Sequence, residues 1–156
     1  MELDASDLRI LRSLQEDGRL TNQALADKVG LSTSPCWRRV RQLEETGIIQ
    51  DYRACLDRKQ IGLGVLAFIR VKIDSHSESE ADEFSRKILE LEEVVACYSI
   101  AGDADFLVQV VARDLDSYSD FAMSVIRRLP GIKEMQTTFV LKELKPFQGF
   151  PVGLGG

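Results

Sequence analysis

Apolar residues in the first third of the chain recur at helical spacing, in segments separated by Gly or by a Ser-Thr-Ser-Pro run. The pattern predicts three helices, near residues 4–17, 21–29 and 34–46. Two of the three are too short to be stable alone, so mutual packing of their apolar faces must hold them together.

The ends of these predicted helices carry capping signals. Asp4 and Thr21 are suited to N-cap positions, because their side-chain oxygens can accept hydrogen bonds from free backbone N–H groups. Gly30 is suited to the left-handed residue of the turn before the third helix. That helix has two candidate N-caps: Ser34, which a proline follows, and Ser32.

The third predicted helix sorts its residues by angle. Cys36, Val40 and Leu43 share an apolar face, and arginines lie along the outer side. Two helices joined by a Gly turn, the second with Ser and Thr at its start, are typical of a helix-turn-helix whose second helix enters the DNA major groove. The candidate DNA-binding residues are Asn22, Lys28, Ser32, Thr33, Ser34, Trp37, Arg38, Arg39, Arg41 and Gln42.

These candidates have different expected roles. Ser34, Arg38 and either Gln42 or Arg41 are expected at base edges. Lys28, Thr33 and Arg39 are expected nearer phosphates. The alternative is that a basic, amphipathic helix is only a solvated face; the combination of caps, turn and arginine placement favours DNA.

After Gly62 the apolar period changes from helical to alternating. Four strands and two helices are predicted in the order βαββαβ: strands at 65–73, 94–101, 106–112 and 134–144, with helices at 77–91 and 117–129. This is an α+β chain with an N-terminal three-helix helix-turn-helix and a C-terminal ferredoxin-like domain, both of whose helices cover one sheet face.

The predicted organisation has four parts. They are a DNA-binding domain at 1–50, a linker strand and hinge at 51–61, an effector-binding and oligomerisation domain at 62–148, and a flexible tail at 149–156. Residues 48–54 are expected to be extended, with pairing to a second subunit left open. Leu66 and Phe68 make the second sheet face partly apolar, which favours contact with another subunit, as does a helix-turn-helix reading palindromic DNA.

Charge and composition narrow the function. The net charge is −5, and residues 1–50 carry seven basic and eight acidic side chains, so DNA affinity must come from a local patch multiplied by oligomerisation. No apolar run approaches the length of a membrane span. Cys36, Cys55 and Cys97 are isolated, which indicates small core residues in a reducing cytoplasm, without metal or cofactor.

The motifs resemble those of the leucine-responsive/asparagine regulator (Lrp/AsnC) family of prokaryotic transcription factors. LSTSPCWRRVRQLEETGII in the helix-turn-helix and the turn AGDADFL carry the resemblance, which covers about residues 3–148. It implies DNA binding, amino-acid sensing, and dimers that assemble further, often to octamers. Trp37 departs from the family's smaller residue; it either alters the DNA preference or packs against the sheet-side helix.

An amino-acid effector needs N–H donors for its carboxylate and a carboxylate acceptor for its ammonium. Gly102 lets the backbone approach a ligand, and Asp103 and Asp105 supply acceptors. The resemblance implies that this turn works with Thr137, Thr138 and Phe139 at a dimer–dimer interface, and leucine or another apolar amino acid is the first guess. From the residues alone, Gly102-Asp103 is also readable as a plain hairpin turn, and Tyr98 and Ile100 as either pocket or core residues.

Two other classes of function fit the sequence less well. A small cofactor-free enzyme is disfavoured, because the lone His76 lies in a polar segment and no nucleophile or phosphate-loop motif is present. An RNA-binding module shares the βαββαβ order but needs an aromatic, basic strand, and 106–110 has one aromatic and no basic residue. The sequence therefore predicts a regulator, not an enzyme.

Overall fold

The structure, a computed structural model, describes residues 2–74 and 78–153. The chain divides into two compact units. The helical unit contains the chain through Cys55 together with the segment from Lys145 onward, and the sheet unit is Leu56–Leu144. His76 lies outside the described residues.

The helical unit contains α1 (Ala5–Glu16), α2 (Asn22–Val29) and α3 (Thr33–Glu45). Its core is formed by the apolar stripes of the three helices, which confirms the predicted periodicity. The fully or nearly fully buried members are Ile10, Leu25, Ala26, Val29, Cys36, Val40 and Leu43.

Two predicted N-caps are confirmed. Asp4 caps α1 in a reciprocal arrangement: its carboxylate accepts from the Asp7 backbone N–H at 2.9 Å, and the Asp7 carboxylate accepts from the Asp4 N–H at 3.1 Å. The Thr21 hydroxyl accepts from a backbone N–H of α2. Gly30 has φ 71°, the left-handed conformation that the turn requires.

Ser34 and Ser32 were the two candidate N-caps of α3, and the structure selects the second. Ser32 is the N-cap residue and the helix begins at Thr33, although no side chain caps it. Pro35 therefore lies inside the first turn, where its missing N–H has no intrahelical acceptor to lose. Ser34 is a helical residue with an exposed side chain.

The sheet unit has the βαββαβ order that the sequence predicts. Its elements are β1 (Val65–Ile73), α4 (Glu78–Ile88), β2 (Val94–Ser99), β3 (Phe106–Ala112), α5 (Leu115–Ser124), a 3₁₀ turn (Ile126–Arg128) and β4 (Ile132–Phe139). The sheet is antiparallel in the order β2-β3-β1-β4. This arrangement is the ferredoxin-like fold, and β1 lies between β3 and β4.

The last helix and the last strand have different bounds from those predicted. Asp114 accepts from the Ser117 N–H at 2.7 Å and so starts α5 two residues early. β4 ends at Phe139 rather than at 144, because its partner β1 runs out: Phe139 pairs with Ala67, and β1 begins at Val65.

Both helices of the sheet unit cover one face of the sheet, as predicted. The core packs Phe84 and Ile88 of α4 and Phe121 of α5 against the alternate residues of β1, such as Ile69 and Val71. The opposite face carries Leu66, Phe68, Leu107, Val111 and Tyr98. Assembly through that face, and pairing of residues 48–54 between subunits, stay predictions.

The first part of the segment predicted as a flexible tail, residues 149–153, contacts α1 in the structure. The Gln15 side-chain amide of α1 donates to the Phe150 carbonyl at 2.9 Å and accepts from the Phe150 N–H at 2.7 Å. Arg12 Nη2 donates to the Val152 carbonyl at 2.9 Å. Gly149 has φ 109°, a conformation that favours glycine, and lies against the Gln15 side chain. Residues 154–156 lie outside the described part.

Candidate functional site

An open concavity of about 620 Å³ lies at the start of α3. We call the residues that line it, with Gln42 one helical turn further on, the reading surface. Its members are Asn22, Thr33, Ser34, Pro35, Trp37, Arg38 and Gln42. Because the apolar stripe of α3 points into the core, this polar side of the helix faces solvent.

Most polar side chains of the reading surface are unengaged. Asn22, Ser34, Arg38 and Gln42 are exposed, and within residues 2–74 and 78–153 none of their side chains makes a hydrogen bond or ion pair. Thr33 is the exception, because its hydroxyl donates to the Gln23 side chain of α2 at 2.8 Å. The surface thus offers donors and acceptors that no described protein group satisfies, on a helix whose apolar side is packed in the core.

Arg39 has a different position from that predicted. Its Nη1 lies 2.8 Å from Asp7 Oδ1 and 2.8 Å from Asp4 Oδ2, so it ties α3 to the start of α1. The hydrogen bond to Asp7, followed by that to Asp4, raises the pKa of the Arg39 guanidinium. Since the Asp7 side chain is only 6% exposed, this pair is part of the packing of the helical unit.

The remaining basic candidates are also paired, although at the surface. Lys28 Nζ lies 2.7 Å from Glu16 Oε2, and Arg41 Nη2 lies 3.1 Å from Glu45 Oε1. Such exposed pairs contribute little and break easily when a phosphate competes. Ser32 is exposed at the N-cap.

Trp37 lies on the surface and not in a core. Its side chain is 46% exposed, and the Arg41 guanidinium carbon lies 5.1 Å from the ring centroid, within cation–π range. The sequence left two roles open for Trp37, an effect on DNA preference and packing against another helix. The exposure of the side chain disfavours packing against another helix. Trp37 instead adjoins Arg38 in the reading surface.

The turn at 100–105 contains the first group of effector candidates. Gly102 has φ 130°, a conformation that side chains other than glycine rarely adopt. Asp103 is almost fully exposed. Asp105 is engaged: its Oδ2 accepts from the Ile73 N–H at 2.8 Å, and its own N–H donates to the Val71 carbonyl at 2.9 Å. Its carboxylate therefore closes the end of β1 rather than pointing free into solvent.

The second group of candidates lies on β4, on the other side of β1 from the turn. Thr137 pairs with Ile69 and Phe139 with Ala67, so the sheet does not bring them next to Gly102 within one chain. Thr138 lies on the opposite sheet face from Thr137. The predicted effector residues therefore form two clusters.

Tyr118 of α5 contacts two of the β4 candidates, Thr137 and Phe139. The sequence patterns did not single it out. Its hydroxyl is hydrogen-bonded to the Thr137 hydroxyl, and its ring packs edge-on against Phe139 with centroids 4.9 Å apart. Burial raises the pKa of the Tyr118 phenol. The only sequence signal for it was an apolar position of α5 filled by a residue with a polar tip.

The described residues hold no group of three or more His, Cys, Asp or Glu side chains placed to bind a metal ion. Nor is any helix in that part of the chain both long and apolar enough to cross a membrane. Of the cysteines, Cys36 is a core residue as predicted, whereas Cys55 is exposed, contrary to the prediction. Cys55 is exposed because the segment around it forms no helix or strand that could pack it into a core.

Comparison with known families gives two matches that follow the two structural parts. Residues 3–50 match a winged helix-turn-helix DNA-binding domain, and residues 66–150 match the Lrp/AsnC ligand-binding domain. The chain belongs to the Lrp/AsnC family of transcriptional regulators. This family is one of transcriptional regulators, and the predicted resemblance and fold class are confirmed.

Curated Lrp/AsnC relatives match over nearly their full length. The leucine-responsive regulatory protein of Rhizobium meliloti (strain 1021) is 38% identical, with 93% of each chain covered. The Bkd operon transcriptional regulator of Pseudomonas aeruginosa is also 38% identical, covering 92% of this chain and 94% of the relative.

Solved structures of Lrp/AsnC regulators superpose on this chain over nearly its full length. A transcriptional regulator from Neisseria meningitidis in complex with L-Met superposes with a TM-score of 0.94 at 38% identity, covering 97% of this chain and 98% of that one. An AsnC family regulator from Agrobacterium tumefaciens gives 0.90 at 38% identity, covering 96% and 97%.

Proposed function

We propose that this Lrp/AsnC regulator binds specific duplex DNA sequences through α3, and that an amino acid bound in the sheet unit changes its occupancy of DNA. The observation that carries the first half is the reading surface. Asn22, Ser34, Arg38 and Gln42 leave their polar atoms unengaged on one side of a helix that the core holds rigidly. Acting on DNA, the regulator is expected in the cytoplasm.

Each residue of the DNA-binding set has a proposed role. Arg38 and Gln42 contact base edges, with Ser34 beside them, because they have free donors near the N-terminal half of α3. Lys28, Thr33 and Arg41 contact phosphates after exchanging their surface partners. Arg39 positions α3 through Asp4 and Asp7. Trp37 contributes an apolar surface toward the groove, and Ser32 and Asn22 flank it.

The effector half of the proposal concerns a small zwitterion. The L-Met in the similar Neisseria meningitidis structure supports an amino acid, and we propose an apolar one, with leucine and methionine as the first candidates. Gly102 and Asp103 contact it, and Thr138 and Phe139 contact it from a neighbouring subunit. Asp105 and Thr137 support these residues.

The proposed mechanism needs assembly. The sheet units hold the helical units as a dimer and as higher oligomers such as an octamer. An effector bound between dimers favours one assembly over another, and so changes how many reading surfaces engage DNA at once. Net charge does not drive binding, since the chain carries −5 overall.

Arg38→Ala tests the DNA-binding half. We expect it to weaken binding to a cognate site by about 1–3 kcal/mol and to reduce discrimination against random duplex, measured by fluorescence anisotropy. Arg86→Ala, which removes another exposed arginine, from α4, is the control and is expected to leave both unchanged. Equal weakening on cognate and random DNA would make Arg38 a phosphate contact and contradict its assignment to base edges.

A thermal-shift screen of the proteinogenic amino acids, with light scattering to follow assembly, tests the effector half. One or more apolar amino acids are expected to raise the melting temperature and change the assembly state. Gly102→Val is expected to abolish that response and to leave DNA binding intact. A wild-type protein that responds to no amino acid would contradict the effector proposal without touching the DNA proposal.

A further inference from the structure

Two apolar rings lie among the polar side chains at the start of α3. Trp37 and Pro35 line the same concavity as Ser34 and Arg38. Because successive residues of an α-helix are about 100° apart around its axis, the two rings lie on either side of Ser34 and Arg38. The reading surface therefore combines unengaged donors with an exposed apolar ring.

Contacts within α3 hold the Trp37 ring in place. The Arg41 guanidinium lies over one face of the indole, with its carbon 5.1 Å from the ring centroid. Arg41 is held in turn, because its Nη2 lies 3.1 Å from Glu45 Oε1. The ring nonetheless stays 46% exposed, and its Nε1–H donates no hydrogen bond to any described residue. Single exposed apolar residues are common on protein surfaces, but this one lies inside the reading surface.

The floor of the DNA major groove explains what such a ring can contact. Base edges there present hydrogen-bond donors and acceptors and one apolar group, the C5-methyl of thymine. Cytosine has only a hydrogen at that position, and phosphate and sugar oxygens gain nothing from an apolar neighbour. An apolar ring beside a base-reading arginine therefore has one favourable contact at the base edges.

We propose that Trp37 is a specificity-determining residue, which contacts the C5-methyl group of a thymine in the half-site that Arg38 reads. The inference rests on the DNA-binding half of the proposed function and goes beyond it by naming a base and the group by which that base is recognised. The methyl group and the exposed part of the indole leave water together. Burial of one methyl group is expected to favour binding by roughly threefold to fivefold.

Replacing thymine by deoxyuridine tests the inference, because it removes the C5-methyl group and keeps the base pair. A site is first selected from random-sequence duplexes with the full-length protein. Each recurring thymine is then replaced in turn, and affinity is measured by fluorescence anisotropy. One position in each half-site is expected to lose roughly threefold to fivefold, and the two together roughly tenfold or more.

Substitutions at Trp37 then assign the methyl contact to this side chain. Trp37→Gln removes the ring and is expected to bind the thymine and deoxyuridine duplexes alike at the identified position. Trp37→Phe keeps an apolar ring and is expected to retain the preference for thymine. Arg38→Ala is the control from the same surface, and it is expected to weaken binding to both duplexes while keeping their ratio. Thermal melts verify that each variant is folded.

The fluorescence of Trp37 gives a second measurement that needs no substitution, because it is the only tryptophan of the chain. Its emission is sensitive to whether water surrounds the ring. On binding of the selected duplex, the emission is expected to change in wavelength or intensity, and the change is expected to be smaller with the deoxyuridine duplex.

The outcomes separate this contact from DNA binding itself. A selected site without a recurring thymine, a wild-type affinity that no deoxyuridine alters, or a Trp37→Gln variant that keeps the wild-type preference overturns the methyl contact and leaves the DNA proposal standing. A Trp37 emission that the selected duplex leaves unchanged has the same meaning. A protein that selects no sequence overturns the DNA half of the proposed function and this inference with it.

Discussion

The sequence predicts clusters of polar side chains both on the reading surface and in the effector turn, residues 100–105. In the structure, the two clusters differ in how many of these side chains already have a partner. On α3, Arg38 and Gln42 are exposed and unengaged within the described chain. In the turn, the Asp105 carboxylate is held by β1, and on β4 the Thr137 hydroxyl is bonded to Tyr118. A helix exposes side chains by local periodicity, whereas the free groups of this turn are decided by β1, a neighbouring strand that is distant in sequence and that the turn does not join.

Arg39 extends this comparison into α3 itself. It is adjacent in sequence to Arg38, but it faces the Asp4–Asp7 end of α1. The same residue type therefore serves packing at one position and is exposed, without a partner among the described residues, at the next.

The largest expected effect comes from separating these two arginines. Arg39→Ala is expected to lower the free energy of unfolding by about 1–3 kcal/mol, because it leaves the buried Asp7 carboxylate without its charged donor. Arg38→Ala is expected to change it by less than about 0.5 kcal/mol. Urea denaturation followed by circular dichroism measures both. Equal losses would remove the distinction between a packing arginine and a reading arginine.

The two acids of the effector turn give the next effect. Asp105→Ala is expected to cost about 1–2 kcal/mol of stability, because the Ile73 N–H loses a charged acceptor at the end of β1. Asp103→Ala, two residues away, is expected to stay within about 0.5 kcal/mol. Calorimetric melts measure the loss of stability in the two variants. A larger loss of stability in Asp103→Ala than in Asp105→Ala would reverse the assigned roles.

The local sequence pattern was sufficient to predict much of the fold. The caps at Asp4 and Thr21, the left-handed Gly30 and the bounds of β1 and β3 all follow from short-range sequence, because each depends on neighbours within a few positions. The order of elements then leaves only a few topologies for the sheet unit, among them the ferredoxin-like one.

What the sequence missed depends on contacts between distant residues. Gln15 and Phe150 are 135 positions apart, so composition alone predicted a flexible tail where the amide of Gln15 binds backbone. The Asp105–Ile73 contact spans 32 positions, as does that of Arg39 with Asp7. A sequence identifies residues with binding chemistry, but only the packed chain shows which of them have already found a partner.

Tyr52 provides the smallest effect and tests whether the segment after α3 packs on the helical unit. Burial, with a 2.9 Å hydrogen bond to Glu44 of α3, raises the pKa of its phenol to about 12. Because the folded pKa lies above the ordinary value of 10, the contact stabilises the fold fully below pH 10 and is lost as the pH rises toward 12. Burial raises the pKa of Tyr118 as well, so an ultraviolet titration of tyrosinate should show late ionisation from both phenols, and the component that belongs to Tyr52 should disappear in Tyr52→Phe. Glu44→Gln should lower its pKa only in part, because burial is the larger cause. A Tyr52 that ionises at the ordinary value would mean that this segment is detached from α3 in solution, and that the helical unit ends with the helix.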